Sequence, residues 1–434
     1  MARTDARTLP LDPTSTAVLA DGRLAYRLVD PGDPEALRAY STAEARGFLG
    51  EEPTDDEARE FGESIAYRRR IGVYDDSGLD AHVPVATVNS WVGELSVPGG
   101  RVTPFWAISG VTVSPTRRRR GIARAMLEGE LRTARDAGMA VAGLTVSEAT
   151  IYGRFGFAPA AWATTWEIDT RRAGWRGGEV PGSFDYVRRE EAVALLEDLH
   201  ERVRVTRPGD VDGWTGRWRQ FAMIAGGSKE PGRTRVVRYA DTDGVVRGAV
   251  VYRLTEDRAD MARHTLDVTY LVSDGDEAYR ALWGFLLRHD LVSDIRATLR
   301  SVDEPLPWLL ADRRGATASV HDHEWLRILD VPAALEARGY AVPGTHIISV
   351  SDGLGFAEGT WMLEVGADGA ARVVPTDAEP RVSMLVSSLA ALYLGGVQAS
   401  TLRAAGLLEG ADDAVRALGR SFSGDTAPTL GIWY

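Results

Sequence analysis

The sequence predicts an α/β (α+β) protein built from three successive units, on three observations. Strand-like and helix-like stretches alternate up to about Trp166. After a stretch rich in Gly, Arg and Pro (RRAGWRGGEVPGSF), the strand-then-helix order repeats. From about His321 a shorter unit of strands and helices begins. A chain of 434 residues also exceeds one ordinary core and suits about three domains.

In the first unit, RLAYRLVD reads as a strand and PEALRAYSTAEARGFLG as a helix. EEPTDDEAREFGESI reads as an acidic helix with Pro53 near its start. RIGVYDDSG, VATVNSWVGELSV and FWAISGVTV follow as strands divided by turn residues. Ile122, Ala123, Met126, Leu127, Leu131 and Ala134 then recur at helical spacing up to Gly138, before the buried-strand pattern MAVAGLTV. In the second unit EEAVALLEDLHERVRV and AYRALWGFLLRHD read as helices. Between them, TRVVRYADTDGVVRGAVVYRL reads as a hairpin with an Asp-Gly turn. This unit repeats the order of the first without its arginine-glycine turn, as expected of a duplicate that has lost a ligand site. The third unit supplies a strand and a Pro332-started helix in WLRILDVPAALEARGY, then further strands and a helix up to TLGIWY.

Composition excludes several functions. There are no cysteines, so disulfides, thiolate metal sites and cysteine nucleophiles are ruled out. The formal net charge of −12 opposes non-specific binding to nucleic acid, whose backbone is held by excess positive charge. No apolar run reaches the roughly 20 residues of a membrane helix, and the N-terminus lacks a signal-peptide core. A cytoplasmic location with no membrane partner is the simplest expectation. Lys229 is the one lysine among 50 basic residues, a bias that fits codon usage better than function.

The stretch VTVSPTRRRRGIARAMLEGELR carries the most chemistry. A strand, a short loop and a helix opening at Gly121 form an anion site, because N–H groups at a helix start lack intrahelical partners and the macrodipole there is positive. Gly121 lets the backbone approach a pyrophosphate, Ala123 keeps the next turn thin, and Arg118 and Arg119 add charge-assisted contacts. The spacing Arg118-x-x-Gly121-x-Ala123 resembles the cofactor loop of the GCN5-related N-acetyltransferase (GNAT) superfamily. Downstream, Tyr152-Gly153-Arg154-Phe155-Gly156-Phe157 resembles its Y-x-x-x-G-F element.

SEATIYGRFGFAPA, WLRILDVPAALEARGYA, PTDAEPRVSM, LYLGG and QASTLRAA resemble, more closely, the enhanced intracellular survival (Eis) family of acetyltransferases. The resemblance implies two tandem GNAT-like domains followed by a sterol-carrier-like domain. Residues 1–170 would bind acetyl-CoA, 171–320 would lack a cofactor site, and 321–434 would end in a catalytic carboxylate. It also implies a homo-hexamer (a dimer of trimers) and acetylation of small cationic amines, aminoglycoside- or polyamine-like, or of lysine-containing peptides. By the same resemblance Tyr152 is the general acid, and the α-carboxylate of Tyr434 takes the proton from the amine.

The chemistry is consistent with the residues. An amine with a pKa of about 10.4 must lose a proton before it attacks a thioester, and the departing sulfur must gain one. Backbone N–H groups near Val111 and Val113 can polarise the carbonyl, and Val111, Val113, Arg118, Arg119, Gly121, Ile122 and Ala123 form the expected acetyl-CoA site. No nucleophile elbow is present, which favours direct transfer. Three departures from the family bear on substrate. Trp433 precedes the last residue where relatives are acidic, Gly47 replaces an acidic pocket residue, and Gly110 replaces a bulky aromatic. A less anionic pocket is expected. His321 and His323 read as a structural pair, and no metal site is expected. The alternative is an acyl-CoA- or lipid-binding sensor with little catalysis.

Overall fold

A computed structural model describes residues 4–226, 228, 230–257 and 259–434, so Lys229 lies outside it. The chain forms two compact units. One gathers the residues up to Ala160 with Glu324–Gly424 and Tyr434, the other Ala161–His323 with Asp425–Trp433.

The first unit is organised on β1 (Ala25–Leu28), β2 (Arg69–Tyr74), β3 (Ala86–Val97), β4 (Arg101–Val113) and β5 (Val141–Thr145), adjacent in that order. The first four pair antiparallel and β5 runs parallel to β4. Its helices are α1 (Pro13–Asp21), α2 (Pro34–Gly47), α3 (Asp55–Ser64), α4 (Ile122–Asp136) and the single turn α5 (Ala149–Tyr152). Local chemistry sets where they start. Asp33 accepts from the amides of Glu35 and Ala36 ahead of Pro34. Thr54 and Glu57 cap each other reciprocally at α3. Asp55, Asp56 and Glu57 therefore sit in a first turn, where the macrodipole favours carboxylates. The periodic residues of α4 (Ile122, Met126, Leu127, Leu131) are buried with Trp106, Ile108 and Trp325 in one core.

In the second unit, β6 (Ala158–Asp169), β7 (Ser183–Tyr186), β8 (Thr234–Ala240), β9 (Val246–Thr255), β10 (His264–Ser273) and β11 (Val292–Arg300) lie in the order β6-β11-β10-β9-β8-β7. β10 leads through the helix Asp276–Leu287 to the parallel β11, the same connection that joins β4, α4 and β5. Here the helix begins with Asp276 and Glu277, charges that repel phosphate. The core includes Trp166, Tyr239, Leu282 and Trp283.

β12 (Ala316–Ile328) brings Glu324–Ile328 antiparallel to β5. Beyond it β13 (Gly344–Ser351), β14 (Gly359–Val365), β15 (Ala371–Pro375), β16 (Val382–Leu385) and β17 (Leu408–Gly410) form a separate sheet ordered β15-β14-β13-β16-β17. The helix Val386–Tyr393 is almost wholly buried.

Candidate active site

Two irregularities in the first sheet create the site. The recorded pairing of β4 with β5 covers only Trp106–Ala142 and Ala107–Gly143, so the strands part toward their C-terminal ends. On the other side of β4 the register with β3 slips between Thr87↔Thr112 and Asn89↔Ser109, a bulge at Gly110 and Val111. Gly110 has a positive φ of 61°, and the Thr87 hydroxyl donates to its carbonyl at 2.8 Å. The bulge turns Val111 and Val113 toward a groove of about 530 Å³, which both line.

The same groove is lined by Arg118, Arg119, Gly121, Ile122, Ala123 and Tyr152, so all the residues expected to hold the donor share one cavity with the expected acid. Gly121, at φ 76°, is the N-cap of α4 and offers no side-chain cap. The amides that open α4 thus keep their donors for a ligand. A Cβ at Gly121 would meet nothing within 4 Å, and Arg119 shares the left-handed conformation at φ 63°. This open turn of N–H groups fits a pyrophosphate.

The four arginines divide into two pairs. Arg117 Nε and Arg120 Nη1 reach Asp75 Oδ2 at 2.8 and 3.2 Å. Hydrogen bonds from Ser77 and Arg117 hold the Asp75 carboxyl well below its usual range. Arg118 and Arg119 are exposed and, among the described residues, have no carboxylate partner. One pair shapes the loop and the other remains available to an anion.

Tyr152 ends α5 and is 6% exposed, its ring edge-on to Phe157 at 6.1 Å. Burial, then the charge of Glu148, pushes its hydroxyl up to about 12, so it is protonated at neutral pH. Its loop is fastened by Arg327, whose Nε donates to the Phe155 carbonyl at 2.8 Å. The Arg327 guanidinium also pairs with Asp352 at 2.6 and 2.7 Å, and both are buried. Positive φ at Gly156 (85°) brings the chain so close that a Cβ would lie 2.6 Å from Arg327 Nε.

Tyr434 packs in the first unit, its ring edge-on to Trp91 and Phe105 at 5.7 and 6.0 Å. Its hydroxyl donates to Glu324 at 3.4 Å, and burial beside that carboxylate raises its pKa well above the ordinary value. Thr145 Oγ1 donates to the main-chain oxygen of Tyr434 at 2.9 Å, two residues before Ser147, which lines the groove. In the second unit His323 Nε2 lies 2.9 Å from the Ile432 carbonyl oxygen, and burial pulls that imidazole down to about 4. Its ring stands edge-on to Trp433 at 4.5 Å.

The glycines singled out in the sequence have steric reasons. A Cβ on Gly47 would collide with the Thr112 side chain, because the end of α2 lies directly on β4. A Cβ on Gly110 would overlap Asn89 and the carboxylate of Glu44. Glu44, one turn before Gly47, was not among the residues expected. The i, i+3 spacing on α2 was the signal that would have found it.

Comparison with known proteins agrees with this geometry. The Acetyltransferase (GNAT) domain family matches residues 29–160, a second Acetyltransferase (GNAT) domain family matches 210–328, and the Sterol carrier protein domain family matches 331–431. The N-acetyltransferase Eis of Mycobacterium tuberculosis is 37% identical over 344 residues, 76% of this chain and 81% of that protein. The chain belongs to the Eis family of N-acetyltransferases. An uncharacterized N-acetyltransferase of Streptomyces avermitilis is 35% identical over 407 residues, 91% of this chain and 95% of the relative. The crystal structure of Eis1 from Mycobacterium abscessus superposes with a TM-score of 0.80 at 31% identity, covering 94% of this chain and all of that one. The resemblance read from the motifs, and the order of two GNAT domains and a sterol-carrier domain, are both borne out. Among the described residues no helix of this Eis-family chain is long and apolar enough to cross a membrane.

Proposed function

We propose that this acetyltransferase moves the acetyl group of acetyl-CoA directly onto the primary amine of a small cationic molecule or a lysine side chain. The observation that carries the reading is the single groove shared by the bulged strand, the uncapped start of α4 and Tyr152. Acetyl-CoA supplies the acetyl group as a thioester. Arg118, Arg119 and the amides of Gly121, Ile122 and Ala123 hold the phosphates, and the N–H groups of Val111 and Val113 hold the arm and polarise the carbonyl. Tyr152 keeps a proton at its hydroxyl for the leaving sulfur. The Tyr434 carboxylate, held by Thr145, accepts the proton of the amine.

The test is thiol release from acetyl-CoA against a panel of alkylamines, polyamines, aminoglycosides and lysine peptides. Turnover with at least one amine class, lost on removal of Trp433 and Tyr434 with acetyl-CoA affinity retained, is the expected result. Tight acetyl-CoA binding with no turnover on any amine would overturn it.

A further inference from the structure

Beside the donor groove lies a second, smaller cleft of about 280 Å³, lined by Ser41, Glu44, Ala45, Phe48, Glu51, Pro53, Ala58 and Phe61. Phe48 lines both cavities, so the cleft opens next to the donor site. The lining holds two phenyl rings, two carboxylates and no basic side chain. Such walls suit a cation on an apolar stem, because aromatic faces and carboxylates both attract ammonium groups. The volume, at the lower end for small-molecule sites, gives room for a slender aliphatic chain.

Glu44 gives this cleft its chemistry. Its carboxylate sits against Gly110, at the bulge where the N–H groups of β4 turn into the donor groove. Oε2 is enclosed and has no hydrogen-bond partner. Buried polar groups in native proteins are normally satisfied, so an enclosed carboxylate oxygen without a partner points to a ligand. The cationic neighbours are engaged elsewhere. Arg68 stacks on Trp91 at 3.7 Å and donates to Asn89, while Arg70 donates to the Gly62 carbonyl. Both guanidiniums act on the Glu44 carboxyl through their charge, while its Oε2 accepts no hydrogen bond. Two glycines create the arrangement: Gly47 lets α2 lie on β4, and Gly110 leaves the space that the carboxylate fills.

We propose that this cleft is the acceptor site, taking an unbranched aliphatic stem, and that Glu44 pairs with the primary ammonium at its end beside the donor. The inference deepens the acetyltransferase reading above and rests on it for the identity of the second substrate. Burial raises the Glu44 carboxyl to about 7, opposed by the charges of Arg68 and Arg70, with Tyr40 on the same helix also facing it. Recognition therefore strengthens as pH rises from 6 to 8, where the carboxylate ionises while an alkylamine of pKa about 10.4 stays charged.

The experiment uses the full chain, n-pentylamine as probe, and the variants Glu44→Gln and Phe48→Ala. Thiol release is measured from pH 6 to 8, and pentylamine binding is measured by calorimetry in the presence of CoA. Glu44→Gln should raise the KM for pentylamine at least tenfold with kcat within about threefold. It should also abolish the fall of KM with pH, with the melting temperature and acetyl-CoA affinity unchanged. Phe48→Ala, at a half-exposed position, should raise KM without altering the pH dependence. An unchanged KM and pH profile in Glu44→Gln, with an active parent, overturns this inference and leaves the acetyltransferase reading intact. Pentylamine binding that depends on Glu44 without any turnover supports the cleft and overturns the reaction. No pentylamine binding to the parent chain overturns the cleft.

Discussion

Thr145 Oγ1 donates a 2.9 Å hydrogen bond to the main-chain oxygen of Tyr434. Thr145 is the last residue of β5, the strand whose separation from β4 opens the donor groove. Tying Tyr434 to that point fixes its main-chain oxygen with one short side chain, while Trp91 and Phe105 fix the ring.

If that oxygen belongs to the base, Thr145→Val removes its orienting donor and little else, since valine fits a strand equally well. A hydrogen bond to a charged group contributes about 1.5–3 kcal/mol. kcat should fall at least about tenfold. Acetyl-CoA affinity should be unchanged, and a fluorescence titration beside steady-state kinetics separates the two. One glycine added after Tyr434 should reduce kcat further, because it moves the charge away from Thr145.

Tyr152→Phe removes the proposed acid and keeps the ring against Phe157. A positioned general acid contributes about 10²–10⁴-fold, so kcat should fall within that range while the donor still binds. The pH dependence has a definite sign. A proton donor works below its folded pKa and is lost as pH rises through it, and burial puts that value at about 12. Activity should therefore show no loss assignable to Tyr152 up to pH 10. A basic limb near pH 8 that disappears in the Phe variant would contradict the assignment.

The arginine run should divide by function. Arg118→Ala and Arg119→Ala should each weaken acetyl-CoA binding about five- to tenfold and flatten its salt dependence, because each removes an exposed charge aimed at phosphate. Arg117→Ala and Arg120→Ala act through the shared Asp75 and should loosen the loop instead. Limited proteolysis near Ser114 should accelerate in these two variants and not in the first two.

How much of this was legible beforehand depended on the range of the interactions. The lining of the groove was readable because Arg118, Gly121 and Ala123 lie in one loop and Tyr152 in one contiguous element. The order of the three units followed from periodicity and quoted motifs. The division of the four arginines was not readable, because it depends on Asp75, 42 residues from Arg117. Glu44 was hidden for a related reason. Its role requires α2 to touch β4 at Gly47 and Thr112, and requires a side chain to be missing at Gly110. A missing side chain on a bulged strand marks a cavity only once its neighbours are known. Gly47 and Gly110 were read as losses from the pocket, whereas in the fold they leave room for the carboxylate of Glu44, one turn before Gly47.

The last prediction concerns the support of the Tyr152 loop. Arg327 and Asp352 form a buried ion pair in which Nη2 of the arginine donates to both carboxylate oxygens, and Arg327 Nε also donates to the Phe155 carbonyl. Asp352 further accepts from the amides of Phe356 and Ala357, at 2.9 Å each. Removing one partner of a buried pair leaves an uncompensated charge and costs about 3–5 kcal/mol. Arg327→Met should therefore lower the melting temperature markedly, and Asp352→Asn should do so by a comparable amount. Exchanging both residues for apolar ones should cost less than either alone, since no buried charge then remains unpaired. The pH dependence follows from Asp352: burial raises its carboxyl, but Arg327 and the amides of Ala357 and Leu354 outweigh burial and hold it below its usual value. Its contribution is fully present above the unfolded pKa of about 3.9 and is lost as pH falls through the lower folded value. Thermal unfolding between pH 6 and pH 3 should show the parent losing stability at the acid end and Asp352→Asn losing less. Equal slopes for the two proteins would show that the pair does not hold the loop.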